Sequence, residues 1–290
     1  MDKAIDLINN NAYDLRYTDY RYMRGRSPYI DEVESLFSDA CLVPTGMAAI
    51  SLVLQYYKPK TIWFPKELYR ETQNLLRLLK IEYTEDNPDM VLYDYPSFRN
   101  IKYVNPYPGA LLVVDNSLDP AEEPACDILL TSLSKHYVNC ETVLGLITFK
   151  THKEDLANMK LLRCASGYAV FDFQCEALLR NFKDYKNLLF ETKKSAKEVA
   201  RLLSDKGYRT INIGSIVFVL VDENPRDIAL RTPFELRPTY GSKRTFCSYS
   251  YYDGDLIYFG SKYIRLSIGL DYSSKKIADV VDEAIKEGEK

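Results

Sequence analysis

The chain has 290 residues, of which 46% are hydrophobic and 27% charged, and its net charge is −3. This length predicts one large α/β domain, or a large domain with a smaller one. The charge balance argues against a protein that grips nucleic acid, because such proteins carry an excess of lysine and arginine against the phosphates. No apolar run reaches the ~18 residues that cross a bilayer, and the acidic start of the chain argues against a signal peptide.

The cysteines and histidines give no sign of a metal site. Six cysteines stand at positions 41, 126, 140, 164, 175 and 247, none in a C-x-x-C pair, and the two histidines are His136 and His152. We therefore expect no bound metal and six reduced thiols, as in a cytoplasmic protein.

The first half of the chain alternates short apolar runs with helical patterns. The apolar runs are TIWF (61–64), MVLYD (90–94), ALLVVD (110–115) and CDILLTS (126–132). Such continuous runs predict strands buried on both faces of a parallel sheet. Helices are predicted over 28–39, 46–57 and 66–80, the first with Pro28 at its first position and Ser27 as its cap. The alternation predicts a three-layer α/β/α large domain.

The second half has a different pattern. A long helical stretch over 171–205 precedes three strand-like segments, SIVFVLVD (215–222), TFCSYSYY (245–252) and YIRLSIGL (263–270), and the chain ends in a helical pattern. This order predicts a smaller C-terminal α+β domain. We place the boundary near residue 185, with a large domain over 1–185 and a small one over 186–290.

A lysine follows one of the predicted buried strands. CDILLTSLSKHYVN ends its strand in two serines spaced by one residue, and Lys135 comes next. Ligands of α/β sheets bind outside the carboxyl ends of the strands. Lys135 is therefore either a Schiff-base lysine beside phosphate-binding hydroxyls or, as is more frequent for such a lysine, a solvent-facing or salt-bridged residue.

Two upstream segments favour the Schiff-base interpretation. LLVVDNS places Asp115 at the end of another strand, where it could pair with a pyridoxal ring nitrogen or form a simple turn. VPTGMAAIS places Gly46 and Met47 at the start of an apolar helix, where free N–H groups make a phosphate site or a plain junction. The order of phosphate loop, carboxylate and lysine favours a pyridoxal-phosphate site.

Several segments match, in order, the motifs of one enzyme family. YMRGRSP (22–28) resembles Y-x-R-x-x-N-P, TGMAAIS resembles S-G-M-A-A-I, LYRETQNLL (68–76) resembles L-Y-G-G-T-x-x-L, VVDNS resembles V-V-D-N-T, and SLSK (132–135) resembles S-x-T-K. VLG (143–145), FDFQCEALLRNFK (171–183) and YIRLSIGLD (263–271) resemble the segments that follow. From about residue 20 to its end, the chain thus resembles the Cys/Met-metabolism family of pyridoxal-phosphate enzymes, which have the aspartate-aminotransferase fold type.

The resemblance implies roles for single residues. Lys135 would form the internal aldimine and shuttle protons, Asp115 would stabilise the protonated ring nitrogen, and Tyr69 would stack on the ring and help proton transfer. The phosphate would be held by Gly46, Met47, Ser132 and Ser134, together with Tyr22 and Arg24 of a neighbouring subunit. The substrate carboxylate would be held by Arg265, with Thr239 beside it.

The chain departs from the family pattern at four places. Only 21 residues precede Tyr22, so a dimer is as much expected as a tetramer, and the C-terminal domain is short. In DYPSFRN (94–100), Phe98 takes the place of the family's ring-binding asparagine, and Asn100 could replace it only if the loop shifts by two residues. Arg244 stands where many members that act at the γ-carbon have glutamate.

The resemblance implies a pyridoxal-phosphate-dependent lyase or transferase. Its reaction would be β- or γ-elimination or replacement on sulfur-containing or homoserine-derived amino acids, as in the cystathionine lyases and synthases. One alternative is an aminotransferase of the same fold type, and another is a non-catalytic relative on the same fold.

Overall fold

The computed structural model describes residues 27–97, 101–250 and 261–288. Within them, the larger sheet has the strand order β1-β7-β6-β5-β4-β2-β3. β3 to β6 run parallel with β2, whereas β7 is antiparallel to both β6 and β1. The strands are β1 (Ala40–Val43), β2 (Thr61–Trp63), β3 (Glu82–Tyr83), β4 (Met90–Asp94), β5 (Leu111–Asp115), β6 (Ile128–Ser132) and β7 (Gly145–Phe149).

Helices cover both faces of this sheet. They are α1 (Pro28–Ser35), α2 (Gly46–Tyr57), α3 (Arg70–Leu78), α4 (Leu156–Ala165) and α5 (Asp172–Phe182). α2, α3 and α4 bury Leu52, Leu76 and Met159 against one face. α1 and α5 bury Val33 and Leu178 against the other. The strands are therefore buried on both sides, which is why they read as continuous apolar runs.

Part of the second face is covered by aromatic side chains of the β4–β5 connection. Tyr103 and Tyr107 pack edge-on against Trp63, with ring centroids 6.3 and 6.0 Å apart. They lie over a cluster that includes Val91 and Val114. The described part of this connection contains no helix. Tyrosine side chains of a loop thus cover the part of the sheet around Val91 and Val114.

The smaller sheet has the order β10-β11-β12-β9-β8, antiparallel except for the β10–β11 pair. Its strands are β8 (Thr210–Ile213), β9 (Ile216–Leu220), β10 (Glu235–Leu236), β11 (Phe246–Tyr249) and β12 (Tyr263–Ser267). It packs against α6 (Tyr185–Asp205), α7 (Pro225–Arg231) and α8 (Ser274–Lys286) in a cluster of its own. The predicted fold class, a three-layer α/β/α part followed by a smaller α+β part, is confirmed. The boundary near residue 185 stays a prediction.

The predicted elements agree with the structure best in their interiors. The helix over 46–57 has the predicted bounds, and the Ser27 hydroxyl accepts a hydrogen bond from the Ile30 N–H, as a cap should. The helix predicted over 66–80 spans only Arg70–Leu78, and the stretch over 171–205 is two helices, α5 and α6, rather than one. The short strands β1 and β7 were not predicted.

Three further predictions concern membrane helices, thiols and metals. None of the described helices is long and apolar enough to span a membrane. The cysteines at all six positions are free thiols. In the described ranges, His, Cys, Asp and Glu side chains form no group of three or more that could hold a metal ion.

A buried ion pair joins α4 to α1 and β1. Arg163 is 2% exposed, and its Nη1 donates to Glu34 Oε1 and to the Leu42 carbonyl, both at 2.8 Å. Glu34 also accepts from the Leu42 N–H at 2.9 Å and pairs with Lys160 at 2.6 Å. Removing one member of such a network destabilises the fold, because a buried charge is left without its partner.

We expect Arg163→Met to lower the free energy of unfolding by about 3 kcal/mol or more, because Glu34 and the Leu42 carbonyl lose their buried donor. Urea denaturation followed by circular dichroism measures this change. The matched control is Arg180→Met. The Arg180 side chain is 66% exposed and pairs with Glu141, so its loss should lower the free energy of unfolding by no more than about 1 kcal/mol. Equal losses in the two variants would contradict the structural role of Arg163.

Candidate functional site

The site is built at the carboxyl ends of three neighbouring parallel strands. Asp94 ends β4 and lies opposite Asp115, the last residue of β5. Ser132 ends β6, the next strand across. Because parallel strands present their carboxyl ends at the same edge, these three polar residues face one region above the sheet.

The start of α2 packs closely against the end of β6. A Cβ on Gly46 would lie 3.0 Å from the Ser132 Cβ, and a Cβ on Gly145 would lie 2.2 Å from the Thr45 carbonyl oxygen. Glycine at both positions therefore lets the helix terminus reach the strand end. Within the described residues, the Gly46 and Met47 N–H groups and the Ser132 hydroxyl have no hydrogen-bond partner. This helix terminus has the free donors of an anion site.

Ser134, predicted as a phosphate ligand, has other bonds in this structure. Its hydroxyl donates to the Leu144 carbonyl at 3.0 Å and accepts from the Leu144 N–H at 2.9 Å. The hydroxyl proton is therefore used within the protein, and a role as a donor to phosphate would require it to rotate.

Lys135 lies between the two sheets. Its Nζ is 3.4 Å from Thr239 Oγ1 and 5.0 Å from the centre of the Tyr240 ring. Burial lowers the pKa of Lys135. Cys140 partly opposes this lowering, and the charge of Arg265 adds to it. A lysine with a lowered pKa has more of the neutral amine that attacks a carbonyl carbon.

The end of β12 and the segment after Lys135 hold Thr239 next to Lys135. The Thr239 carbonyl accepts a short hydrogen bond from the Ser267 hydroxyl, and the Cys140 thiol lies 3.5 Å from the Thr239 hydroxyl. The Asn139 side chain accepts from the Lys243 N–H at 2.9 Å. The structure thus brings the predicted residues Lys135 and Thr239 together, although they are 104 positions apart.

Asp115 is the carboxylate predicted to face a ring nitrogen. Burial raises its pKa, and hydrogen bonds from Ser117, including one from the Ser117 N–H at 2.8 Å, oppose this by stabilising the charged form. Asp94, its neighbour on β4, has a pKa raised well above the ordinary value, first by burial and then by the charge of Asp115.

Arg265 carries a guanidinium with unused donors. It lies in β12, where it pairs with Phe218 of β9 and Ser248 of β11. Its buried Nε and Nη2 atoms have no hydrogen-bond partner among the residues that the structure describes. Burial lowers its pKa. Buried guanidinium nitrogens without acceptors are costly unless an anion binds there, and the planar fork of N–H donors suits a carboxylate.

Tyr69 precedes the first turn of α3, and its backbone N–H donates to Asp94 Oδ2 at 2.7 Å. The side chain is 39% exposed. Burial, and to a smaller extent the charge of Glu71, raises the pKa of its hydroxyl, whereas Arg265 lowers this pKa. Tyr69 thus lies in the same electrostatic environment as Arg265 and Asp115, which also contributes to the raised pKa.

The remaining predicted residues fall into two groups. Tyr22 and Arg24 lie outside the described residues, as do Phe98 and Asn100. Arg244 is described and is exposed, and its N–H donates to the Ser242 hydroxyl at 3.2 Å. The roles assigned to all of these residues stay predictions.

Three residues of the site were missed by the sequence reasoning. Asp94, Tyr240 and Cys140 all lie around Lys135, Asp115 or Tyr69. Asp94 had a usable signal, because it ends a buried apolar strand in the same way as Asp115. Tyr240 and Cys140 had none, since their neighbours come from distant parts of the chain.

The donors and acceptors fit one kind of ligand. Free amides at a helix terminus suit a phosphate, a buried carboxylate suits a cationic ring nitrogen, and a desolvated lysine suits an aldehyde. Arg265, with two buried nitrogens lacking partners, suits a second anion such as a carboxylate. These residues therefore fit pyridoxal phosphate and an amino-acid carboxylate beside it.

No family model matches the chain, and no curated protein matches its sequence. Solved structures do match. A methionine γ-lyase from Micromonospora echinospora is 17% identical with a TM-score of 0.78, over 94% of this chain and 91% of that one. Cystathionine γ-lyase from yeast is 14% identical with a TM-score of 0.79, over 94% and 89%. Cystathionine γ-synthase from Xanthomonas oryzae pv. oryzae, solved with cystathionine, is 19% identical with a TM-score of 0.76, over 96% and 91%.

These similarities extend over nearly the whole length of each chain and confirm the predicted resemblance as a likeness of fold. The chain therefore has the fold-type-I architecture of the cystathionine γ-lyases, cystathionine γ-synthases and methionine γ-lyases.

Proposed function

We propose that the protein is a pyridoxal-phosphate-dependent lyase or transferase. It would catalyse β- or γ-elimination or replacement on sulfur-containing or homoserine-derived amino acids. The observation that carries the proposal is that Lys135, Asp115 and Arg265 all lie around Tyr240, and that two buried nitrogens of Arg265 have no partner among the described residues. The fold shared with enzymes of this chemistry supports it.

In this proposal each part of the site has one task toward the cofactor. The Gly46 and Met47 N–H groups and the Ser132 hydroxyl hold the phosphate, and Asp115 accepts from the protonated ring nitrogen. Tyr69 lies against the ring face. Lys135 Nζ is the point of covalent attachment. Bound pyridoxal phosphate supplies an electron sink that stabilises negative charge at the substrate α-carbon.

The substrate side of the site belongs to the smaller sheet. Arg265 binds the α-carboxylate through two parallel hydrogen bonds and so orients the α-carbon toward Lys135. The Lys135 amine would take the α-proton and later return a proton. Its lowered pKa increases the share of neutral amine, which is the form that can act as this base. Thr239, 3.4 Å from Nζ, keeps the amine in place.

Self-association is part of the proposal. Tyr22 and Arg24 would complete the phosphate site of a neighbouring subunit, as the family resemblance implies, so a dimer is the smallest active unit. A tetramer would fit the same arrangement. The cytoplasmic location is likewise proposed, in keeping with free thiols at all six cysteine positions.

We expect the protein mixed with pyridoxal phosphate to show a visible absorption band that borohydride removes, with the reduced adduct mapped to Lys135. Lys135→Ala should lose the trapped adduct and lower the turnover rate by about a thousandfold or more, because the attachment point and the proton carrier are the same amine. The matched control is Lys197→Ala, an exposed lysine on α6 that should keep both properties.

Other outcomes of this experiment would favour the alternatives. Stoichiometric return of pyridoxamine phosphate on adding an amino acid would favour an aminotransferase. A protein that stays colourless with excess cofactor would favour a non-catalytic relative. An adduct trapped at another lysine, with activity retained in Lys135→Ala, would contradict the proposal.

We also expect Arg265→Met to raise the KM for the amino-acid substrate by about a hundredfold, because the carboxylate loses a buried bidentate partner. Cofactor affinity, measured by absorbance titration, should change much less. Arg226→Met, an exposed arginine of α7, is the control and should leave KM unchanged. An unchanged KM in Arg265→Met would show that the substrate carboxylate binds elsewhere.

A further inference from the structure

Asp94 is a buried carboxylate for which the mechanism above has no use. It is 5% exposed, and it ends β4 directly opposite Asp115 on β5. Neighbouring strands lie about 4.8 Å apart, so the two carboxyl groups are close neighbours. Asp94 Oδ2 accepts from the backbone N–H of Tyr69 at 2.7 Å, just before α3 begins. Asp94 therefore lies beside the carboxylate Asp115 and is hydrogen-bonded to the main chain of the aromatic residue Tyr69.

Among the described residues, the two carboxylates have no positively charged partner. No lysine or arginine in the described ranges forms an ion pair with Asp94 or Asp115. The other groups that act on Asp94 or are affected by it are the buried Glu67 and the phenols of Tyr69 and Tyr240. A buried carboxylate and a half-buried one next to it cannot both be charged at low cost, so the pair holds one proton.

The hydrogen bonds decide which carboxylate holds the proton. Asp115 is stabilised in its charged form by the side chain and the N–H of Ser117. Asp94 receives one such bond, from Tyr69, and in addition faces the negative charge of Glu67. Burial and the charge of Asp115 both favour the neutral form of Asp94. Asp115 is then the single negative charge at this edge of the sheet.

We propose that Asp94 is a positioning residue of the site, which holds Tyr69 through its main chain while staying neutral, so that Asp115 alone carries the charge for the cofactor. This inference rests on the proposed function, because it assigns Tyr69 and Asp115 to the ring. It predicts that the shape and the hydrogen-bond acceptor of Asp94 matter, whereas its ability to ionise does not.

The site benefits in two ways from a neutral acceptor at this position. Tyr69 is partly exposed and stands at the start of a helix, so its place over a ring depends on where its backbone is held. A second charge beside Asp115 would raise the pKa of Asp115 and so favour its protonated form, which carries no negative charge for a cationic ring nitrogen. A protonated carboxyl holds the backbone without that effect.

The test compares Asp94→Asn, Asp94→Ala and Asp115→Asn with the wild-type protein. Asparagine keeps the acceptor for the Tyr69 N–H and cannot ionise, whereas alanine removes the acceptor. For each full-length protein we would measure the Kd for pyridoxal phosphate by absorbance titration, the visible circular dichroism of the bound cofactor, and the urea midpoint as a check of folding.

We expect Asp94→Asn to bind pyridoxal phosphate within about threefold of the wild-type Kd with the same visible dichroism. Asp94→Ala should raise Kd by about tenfold and change the dichroism, and Asp115→Asn should raise Kd by more than tenfold. If Asp94→Asn binds as poorly as Asp115→Asn, or if Asp94→Ala binds like the wild type, the inference is overturned. Should Asp94→Ala not fold, the comparison of the two asparagine variants still decides the charge assignment. A wild-type protein that binds no pyridoxal phosphate would instead refute the proposed function.

Discussion

The register between the parallel strands β4, β5 and β6 is the constraint on which the site depends. It sets Asp94 opposite Asp115 and brings the end of β6, with Ser132 and the following Lys135, to the same edge. A slip of one residue in any strand would turn these side chains to the opposite face of the sheet. The apolar residues that precede them are buried on both faces and oppose such a slip, so the packing of the sheet also aligns the polar groups above it.

The site also requires that segments next to the smaller sheet pack closely against the segment that follows β6. Gly241, with a φ of 77°, lies so near His136 that a Cβ on Gly241 would be 2.6 Å from the backbone nitrogen of His136. His136 Nε2 is 3.0 Å from the Ser215 hydroxyl, and burial lowers the pKa of the imidazole to about 3, so this contact is between neutral groups. The residues next to these contacts, Lys135 and Tyr240, are the ones that meet in the site. Chemistry at the lysine therefore depends on the contact between the sheets.

Much of this arrangement could be predicted from local sequence. Continuous apolar runs predicted β4, β5 and β6. Asp115 and Lys135 were identified because ligands of α/β sheets bind at the carboxyl ends of strands, and because a phosphate loop, a carboxylate and a lysine follow one another in the family's order. The four-residue β1 is too short for its pattern to stand out. Tyr240 and Cys140 owe their positions to contacts across about a hundred residues of chain, and no local pattern encodes such contacts.

The central claim is that the strand ends, the start of α2 and the smaller sheet together form one binding site for pyridoxal phosphate. A crystal structure of the protein grown with the cofactor tests this most directly. The account predicts the phosphate at the Gly46 and Met47 N–H groups, the ring nitrogen within hydrogen-bond distance of Asp115, and a covalent bond to Lys135 Nζ. Cofactor bound elsewhere, or a site without cofactor at saturating concentration, would contradict the account.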